Sequence, residues 1–155
     1  MHRIGLSNDI HSLEKKDSFI YLGGIKISSN YEIISHSDGD IILHALAESI
    51  YGALGLGDIG DHFSDQDEKN RNISSQIILA DALKKMNDLK YKICNADIIL
   101  ICEKIIMKDH KENITLSLKK LTDCNYINIK ATRWEENKDM IQCNCVILLE
   151  STISK

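Results

Sequence analysis

The chain has 155 residues, of which 43% are hydrophobic and 27% charged, a composition typical of one globular domain. Its formal net charge of −4 argues against a nucleic-acid-binding surface, and its aromatic content of 5% argues against a base-stacking platform. No apolar run is long enough to span a bilayer. The five cysteines contain no C-x-x-C pair, which is typical of reduced thiols. We therefore expect a cytoplasmic protein, or a plastid stromal one if a transit segment has been removed.

The first half of the chain combines short strands with a long helix. Strands are predicted where hydrophobic and polar residues alternate, and helices where apolar residues recur every three to four positions. In chain order we predict a strand at 2–11, two short strands within 19–27 that break at Gly23 and Gly24, a polar loop at 28–37, a helix from Ser37 or Asp38 to about Leu54, and a glycine-punctuated loop to about residue 72.

The second half repeats the same two element types. The predicted elements are a helix at about 74–88 that begins after Ser74 or Ser75, a strand at 91–103, a helix at about 109–122, and strands at 126–133 and 141–150. This order predicts an α+β fold: a mixed, mostly antiparallel sheet of four or five strands with helices on one face. Because no linker interrupts the pattern, residues 1–155 are expected to form one domain.

Three side chains have the composition of a metal site. Asp9 and His11 are two positions apart on a predicted strand, so they point to the same face. His44 follows Asp40 by one helical turn, so those two side chains share a helix face. If the strand end meets that helix, then Asp9, His11 and His44 form a three-ligand set with an open fourth position, the pattern of catalytic zinc. The alternative is a set of ordinary polar residues at the ends of elements.

The segment 36–40, His-Ser-Asp-Gly-Asp, precedes the same helix. A helix N-terminus favours anions, so His36 is placed to donate to a phosphate there. An open zinc position could hold a phosphate oxygen, with the ion acting as a Lewis acid. The alternative is structural, since Ser37 or Asp38 would also serve as an N-cap.

Two other segments carry polar side chains beside glycines or strand ends. The loop at 57–67 contains Gly57 and Gly60, which allow a ligand to approach the backbone closely. The segment 130–135 ends a strand with a hydroxyl, two cations and a carboxylate, a set that suits phosphate contact. Surface loops of no special function are the alternative for both.

In this order the motifs resemble the 2-C-methyl-D-erythritol 2,4-cyclodiphosphate synthase family of the non-mevalonate isoprenoid pathway. The resemblance covers nearly the whole chain, and its second and third motifs are highly specific together. The motifs are Arg3-Ile4-Gly5 with Asp9-Ile10-His11, His36-Ser37-Asp38-Gly39-Asp40 with His44-Ala45, Gly55-Leu56-Gly57-Asp58-Ile59-Gly60, Phe63 with Asp65 and Asp67, Asn95-Ala96-Asp97, and Lys130-Ala131-Thr132.

The resemblance implies a metal-dependent lyase that cyclises 4-diphosphocytidyl-2-C-methyl-D-erythritol 2-phosphate and releases CMP. It implies a homotrimer with active sites between adjacent subunits, with no nucleic-acid or membrane partner. One Zn²⁺ per subunit would be held by Asp9, His11 and His44, with the substrate β-phosphate as the fourth ligand. A second divalent ion, Mg²⁺ or Mn²⁺, would bridge the α- and β-phosphates beside Glu135.

The same resemblance implies roles for further residues. His36 and Thr132 would be catalytic, with His36 stabilising the transition state. Arg133 stands where the family has a catalytic-site Thr, and we expect it to act in catalysis as a cation for the diphosphate. Residues 102–108 would hold the cytosine through backbone groups. The residues expected to contact the substrate are Asp9, His11, His36, Ser37, Asp58, Ile59, Gly60, Phe63, Ser64, Asp65, Gln66, Asp67, Thr132 and Glu135.

The chain also departs from the family pattern. Leu6-Ser7-Asn8 replaces a His-Gly-aromatic segment, Glu48 replaces an Asp, Arg133 replaces a Thr, 104–106 lacks an Ala-Pro-Lys motif, and 136–141 is short and has no Gly or Arg. These departures keep a second function open, a catalytically impaired relative that binds zinc or an isoprenoid. A generic zinc phosphohydrolase is a third possibility that suits the motif order less well.

Overall fold

The fold is a five-stranded mixed sheet with helices against one face, as predicted. A computed structural model describes residues 1–136 and 138–153. The strand order is β2-β1-β5-β3-β4, and of these neighbours only β3 and β4 run parallel. The strands are β1 (His2–Leu22), β2 (Ile25–Ile33), β3 (Tyr91–Cys102), β4 (Ile127–Thr132) and β5 (Met140–Ser151).

Four α-helices and one short 3₁₀ turn complete the described chain. They are α1 (Ile41–Leu54), α2 (Ile59–His62), the 3₁₀ turn Glu68–Asn70, α3 (Ser75–Asp88) and α4 (Lys111–Thr122). Ser74 is the N-cap of α3, and its hydroxyl accepts a hydrogen bond from the Gln76 amide. Of the two predicted positions for this cap, the first is therefore confirmed. Within the described ranges, no helix is both long enough and apolar enough to cross a membrane.

The prediction of short strands and a loop in the first 37 residues was wrong. β1 continues without a break from His2 to Leu22, and β2 extends through the predicted polar loop to Ile33. The two strands pair as a long hairpin from Leu22↔Ile25 to Leu13↔Ile33. The exposed polar residues 14–17 interrupt the alternation, and cross-strand backbone hydrogen bonds carry the strand through them.

The helix α1 begins at Ile41, later than the predicted start at Ser37 or Asp38, because Asp40 is its N-cap. One Asp40 oxygen accepts hydrogen bonds from the amides of Leu43 (3.1 Å) and Gly23 (2.8 Å), and the other accepts from Gly24 (2.6 Å). Both glycines have positive φ in the β1–β2 turn. Burial raises the pKa of Asp40, although these amides stabilise its charge. Asp40 therefore ties the hairpin to α1 and does not face the site with His44.

The helix α1 packs unusually close to β1 because Gly5 has no side chain. A Cβ atom at Gly5 would lie 1.8 Å from the backbone oxygen of Ser49. Two residues further along β1, the buried Ser7 hydroxyl donates to the Ala45 carbonyl at 2.6 Å. These contacts bring the first turns of α1, including His44, against the strand that carries Asp9.

The opposite face of the sheet is left uncovered in the single chain. Ile4 is 72% exposed and Leu6 is 70% exposed, and the neighbouring strand β5 presents Val146 on the same face. Alternate residues of β1 and β5 point to the helices and are buried. An exposed apolar sheet face of this kind is typical of an interface.

We predict that Gly5→Ala separates α1 from β1. The added methyl group would collide with backbone rather than with a flexible side chain, so the free energy of unfolding should fall by about 1–3 kcal/mol. Urea denaturation measures the loss.

Gly52→Ala is the matched control at the same helix–strand contact. A Cβ at Gly52 meets only the Leu6 oxygen, at 4.0 Å. Since alanine favours a helix more than glycine, this variant should gain roughly 0.5–1 kcal/mol. Equal destabilisation of both variants would contradict the close-packing explanation.

Candidate active site

Asp9, His11 and His44 meet where β1 passes under the first turn of α1. His11 Nε2 lies 3.2 Å from Asp9 Oδ1, and His44 Nδ1 lies 3.6 Å from Asp9 Oδ2. The three residues each offer one ligand atom, and these atoms lie within 4.8 Å of one another. The side chains are mostly buried, between 13% and 24% exposed. The strand end and the helix therefore meet as the sequence pattern required.

The polar atoms of this cluster fit a metal ion. Asp9 Oδ2, His11 Nε2 and His44 Nε2 are buried, and none has a hydrogen-bond partner among the described residues. A buried polar atom without a partner is costly, and a cation that accepts its lone pair removes that cost. Two imidazoles and one carboxylate with an open position are the ligands of catalytic zinc.

A backbone contact orients His11 for this role. Its Nδ1 lies 3.0 Å from the Ile34 carbonyl, so Nδ1 carries the proton and donates it. The other ring nitrogen, Nε2, is then left to face Asp9 with its lone pair. Holding a ligand histidine through its second nitrogen in this way fixes both its tautomer and its ring orientation.

The charges of the three residues are coupled. Burial alone would raise the pKa of Asp9, but the two neighbouring imidazoles outweigh it and hold that pKa well below its ordinary value. The Asp9 carboxylate raises the pKa of His11 above 6.5, against the effect of burial. Asp9 therefore stays ionised and draws a positive charge, a proton or a metal ion, into the cluster.

Glu48 connects the metal cluster to the following loop. It lies one helical turn after His44, and its Oε2 accepts a hydrogen bond from the Ile59 amide at 2.9 Å. Burial raises the pKa of Glu48. Asp58 is the N-cap of α2 and forms a capping box with Asp61. The Asp58 carboxylate is thus partly engaged in holding the loop, and the Ile59–Gly60 backbone forms the wall of the site.

The segment 36–38 is held beside the cluster by a backbone pairing. The Asn72 amide donates to the His36 carbonyl at 2.9 Å, and the Asp38 amide donates to the Ile73 carbonyl at 3.0 Å. The Asp38 carboxylate accepts hydrogen bonds from the backbone amide and the hydroxyl of Ser75, at the start of α3. Asp38 is therefore structural, while His36 and Ser37 remain in the cleft next to His11.

A cleft connects the metal cluster to the loop after α2. Of the residues predicted from 63–67, the first three line it, whereas Gln66 and Asp67 do not. The Asp67 carboxylate instead accepts from the Lys69 amide as the cap of the 3₁₀ turn, and it pairs with the Lys69 ammonium at 2.6 Å. The lining residues are His11, Ser35, His36, Ser37, His44, Ile59, Gly60, Phe63, Ser64, Asp65, Asn70, Ile73 and Ile78.

Thr132 and Arg133 lie in a different cleft. It has a volume of about 340 Å³ and contains much of the segment 102–108 predicted to hold the cytosine. Lys108 and Lys111 add two further cations to its wall. Sequence analysis missed Lys111, because a lysine at a helix start carries no signal of a binding site. Three cations in one cleft suit an anionic ligand.

Glu135 and the segment 136–141 line neither of these two clefts. Glu135 is exposed and belongs to no cluster of potential metal ligands in the described part of the chain. In the segment 136–141, Lys138 lies over the Trp134 ring at 5.0 Å, and Asp139 pairs with Lys104 at 3.2 Å. Position 137 of that segment lies outside the described residues.

The two clefts are separated by the width of the sheet. Asp9 on β1 pairs with Cys143, which pairs with Leu100, which pairs with Ala131 on β4. Three strand spacings make this separation roughly 14 Å. The single chain thus presents an acidic, histidine-containing cleft and a basic cleft that do not meet.

Comparison with known proteins identifies the family. The sequence profile of the YgbB family matches residues 2–150. The chain is 39% identical over 150 residues to the 2-C-methyl-D-erythritol 2,4-cyclodiphosphate synthase of Mycoplasmoides gallisepticum, covering 96% of this chain and 97% of that protein. It is 41% identical over 157 residues to the enzyme of the same name from Leptospira borgpetersenii, covering 96% and 98%.

Solved structures agree. A 2C-methyl-D-erythritol-2,4-cyclodiphosphate synthase in a CDP-bound form superposes with a TM-score of 0.89 at 31% identity, covering 96% of this chain and all (100%) of that one. The Plasmodium falciparum IspF in a CDP complex superposes with a TM-score of 0.85 at 33% identity, covering 98% and 97%. The protein is thus an enzyme of the lyase class. The chain belongs to the YgbB family, and the resemblance that its motifs predicted is confirmed.

We predict that His11 of the metal-free protein titrates above 6.5 and that Asp9→Asn lowers its pKa, because the Asp9 carboxylate stabilises the imidazolium. The pair should stabilise the metal-free fold fully between 3.8 and 6.5, the ordinary pKa values of the two groups. At higher pH the contribution is lost as the pH rises through the raised pKa of His11. At lower pH it is lost as the pH falls from 3.8 towards the lowered pKa of Asp9. NMR titration of the histidine rings measures the shift, and a His11 pKa below 6.5 would contradict it.

Proposed function

We propose that the chain converts 4-diphosphocytidyl-2-C-methyl-D-erythritol 2-phosphate to the cyclic diphosphate with release of CMP. The observation that carries the proposal is the convergence of one potential ligand atom each from Asp9, His11 and His44, in a cluster where three buried polar atoms have no hydrogen-bond partner among the described residues. Membership of the YgbB family supports it. The reaction joins the 2-phosphate to the β-phosphorus and breaks the bond to the leaving CMP, so it needs positioning and charge neutralisation more than a strong nucleophile.

Asp9, His11 and His44 would hold one Zn²⁺, and the fit rests on their donor set and their unpartnered atoms. When bound, the ion supplies Lewis acidity to a phosphate oxygen in its open position. Ile34 keeps the proton of His11 on Nδ1, which keeps Nε2 free as a ligand. Because Asp9 stays ionised, the site binds a cation although its two other ligands are neutral when coordinated.

His36 and Ser37 would bind the erythritol 2-phosphate beside the metal cluster. Both residues line the cleft that contains His11 and His44. The Ser37 hydroxyl accepts a hydrogen bond from the Gly39 amide at 3.1 Å, which orients the hydroxyl. Ile59, Gly60 and Phe63 would bound the methylerythritol moiety, since the backbone at Gly60 leaves space and Phe63 supplies an apolar wall.

The basic cleft would hold the cytidine and its α-phosphate. Thr132, Arg133, Lys108 and Lys111 all line it. A guanidinium matches the geometry of phosphate oxygens, so Arg133 would supply a diphosphate cation that the short segment 136–141 lacks. Glu135, being exposed and next to this cleft in sequence, would hold the second ion, Mg²⁺ or Mn²⁺, only once substrate phosphates complete its ligands.

The active enzyme would be a homotrimer with its sites between subunits. In one chain the acidic and the basic clefts lie roughly 14 Å apart across the sheet, so one substrate diphosphate does not reach both. A neighbouring copy that brings its basic cleft beside the metal cluster completes the site. The uncovered apolar face, with Ile4, Leu6 and Val146, supports this arrangement, because a second copy would cover it.

We predict that purified protein with the substrate and Mg²⁺ or Mn²⁺ releases CMP, and that His11→Ala loses its zinc and lowers turnover by more than about a hundredfold. Chromatography quantifies CMP, and mass spectrometry quantifies bound metal. His110→Ala is the control, because His110 precedes α4 and makes no side-chain cap hydrogen bond. Zinc-loaded wild-type protein without CMP release would instead indicate a binding relative, and simple phosphate release would indicate a phosphohydrolase.

We predict that two inactive variants restore activity when their subunits are mixed. His11→Ala damages the acidic cleft and Arg133→Glu damages the basic one, so random trimers should contain about a quarter of intact sites. The measurement is CMP release after joint refolding of the two variants. A mixture of His11→Ala with Asp9→Asn, both in the same cleft, should stay inactive. Equal inactivity of both mixtures would contradict a site shared between subunits.

A further inference from the structure

A second cluster of metal-ligand side chains lies at the far end of the sheet. His2 on β1 pairs with Glu150 on β5, and Glu150 also pairs with Lys92 on β3. His2 and Asp9 are seven positions apart on β1, a distance of about 23 Å along the strand. This end of the sheet therefore does not take part in the active site described above.

A β-bulge places Cys94 in this cluster. The pairing of β3 with β5 shifts register between Ile93 and Asn95, so Cys94 is the extra residue of the bulge. A bulge redirects the side chain of its extra residue and leaves that residue without a partner in the ladder. Here the sulfur lies with the His2 imidazole and the Glu150 carboxylate, and one ligand atom from each residue lies within 4.8 Å of the others.

The two oxygens of Glu150 have separate neighbours. Oε1 lies 2.8 Å from the ammonium of Lys92, which fixes the carboxylate. Oε2 lies 3.7 Å from His2 Nε2, which is too long for a hydrogen bond. In a tetrahedral zinc site with bonds of 2.0–2.3 Å, neighbouring ligand atoms are separated by about 3.3–3.8 Å. The Oε2–Nε2 distance therefore already matches a shared cation.

We propose that His2, Cys94 and Glu150 bind a thiophilic divalent cation, with zinc as the preferred ion and water in the fourth position. One imidazole, one thiolate and one carboxylate are zinc ligands, and the thiolate disfavours Mg²⁺ and Ca²⁺. Lys92 stays on Oε1 and orients the carboxylate, as outer contacts of metal ligands usually do. The site cross-links β1, β3 and β5 at the end of the sheet where β1 begins.

Binding would require loss of the Cys94 proton. Burial raises the pKa of this thiol, and the Glu150 carboxylate raises it further. A cation bound between sulfur and carboxylate offsets both effects and releases the proton. The cation is therefore expected to bind more weakly as the pH is lowered.

Cobalt substitution tests the proposal, because Co²⁺ bound to a thiolate shows a charge-transfer band in the near ultraviolet. The Asp9 cluster contains no sulfur, so this band reports only on the second site. Titration of the metal-free full-length protein with Co²⁺ should produce the band with one equivalent of thiolate-bound metal per chain. Cys94→Ser should lose the band and that equivalent while its CMP release is unchanged.

Two controls separate the proposal from the function of the active site. His11→Ala should retain the band, so a failure of the first metal site leaves the second measurable. Cys145→Ala should also retain it, because Cys145 is a buried thiol of β5 outside the cluster. Absence of the band in the wild-type protein, or its persistence in Cys94→Ser, would overturn the proposal. Loss of the band in His2→Ala with folding preserved would support it.

Discussion

The arrangement of the site depends on the contact between α1 and β1. Gly5 allows the helix backbone to approach the strand, and the buried Asp40 carboxylate joins the start of α1 to the β1–β2 turn through three backbone amides. With the helix held at both its start and its middle, His44 comes to lie over Asp9. Without this contact, β1 would still carry Asp9 and His11, but the cluster would lack its third ligand.

The distribution of charge divides the chain into two complementary surfaces. The cleft around Asp9 also contains the carboxylates of Glu48 and Asp58, so it favours cations, whereas the cleft around Arg133 contains two lysines and favours anions. A net charge of −4 gives no hint of the basic cleft, because the cations are local. A substrate with a diphosphate between two organic groups needs both surfaces, and the sheet holds them apart within one chain.

The predictions from sequence succeeded where local patterns suffice. The helix at 74–88 and the strand at 91–103 were located to within a residue or two, because their periodicity and capping are local. They failed for the extension of β1 and β2, where the two consecutive strands pair with each other through polar, exposed residues that show no clear alternation. They also took Asp38 or Ser37 for the N-cap of α1, although Asp40 has that role because it meets Gly23 and Gly24 in the fold.

The sequence by itself determined the family, the α+β architecture and the shared face of Asp9 and His11, because motif order and strand alternation are properties of the linear chain. Tertiary structure alone decided which carboxylates are available. It bound Asp38 to Ser75 and brought His44 beside Asp9, since both outcomes depend on contacts between segments far apart in sequence. It also gathered His2, Cys94 and Glu150 through strand register and one bulge, which no spacing in the sequence records.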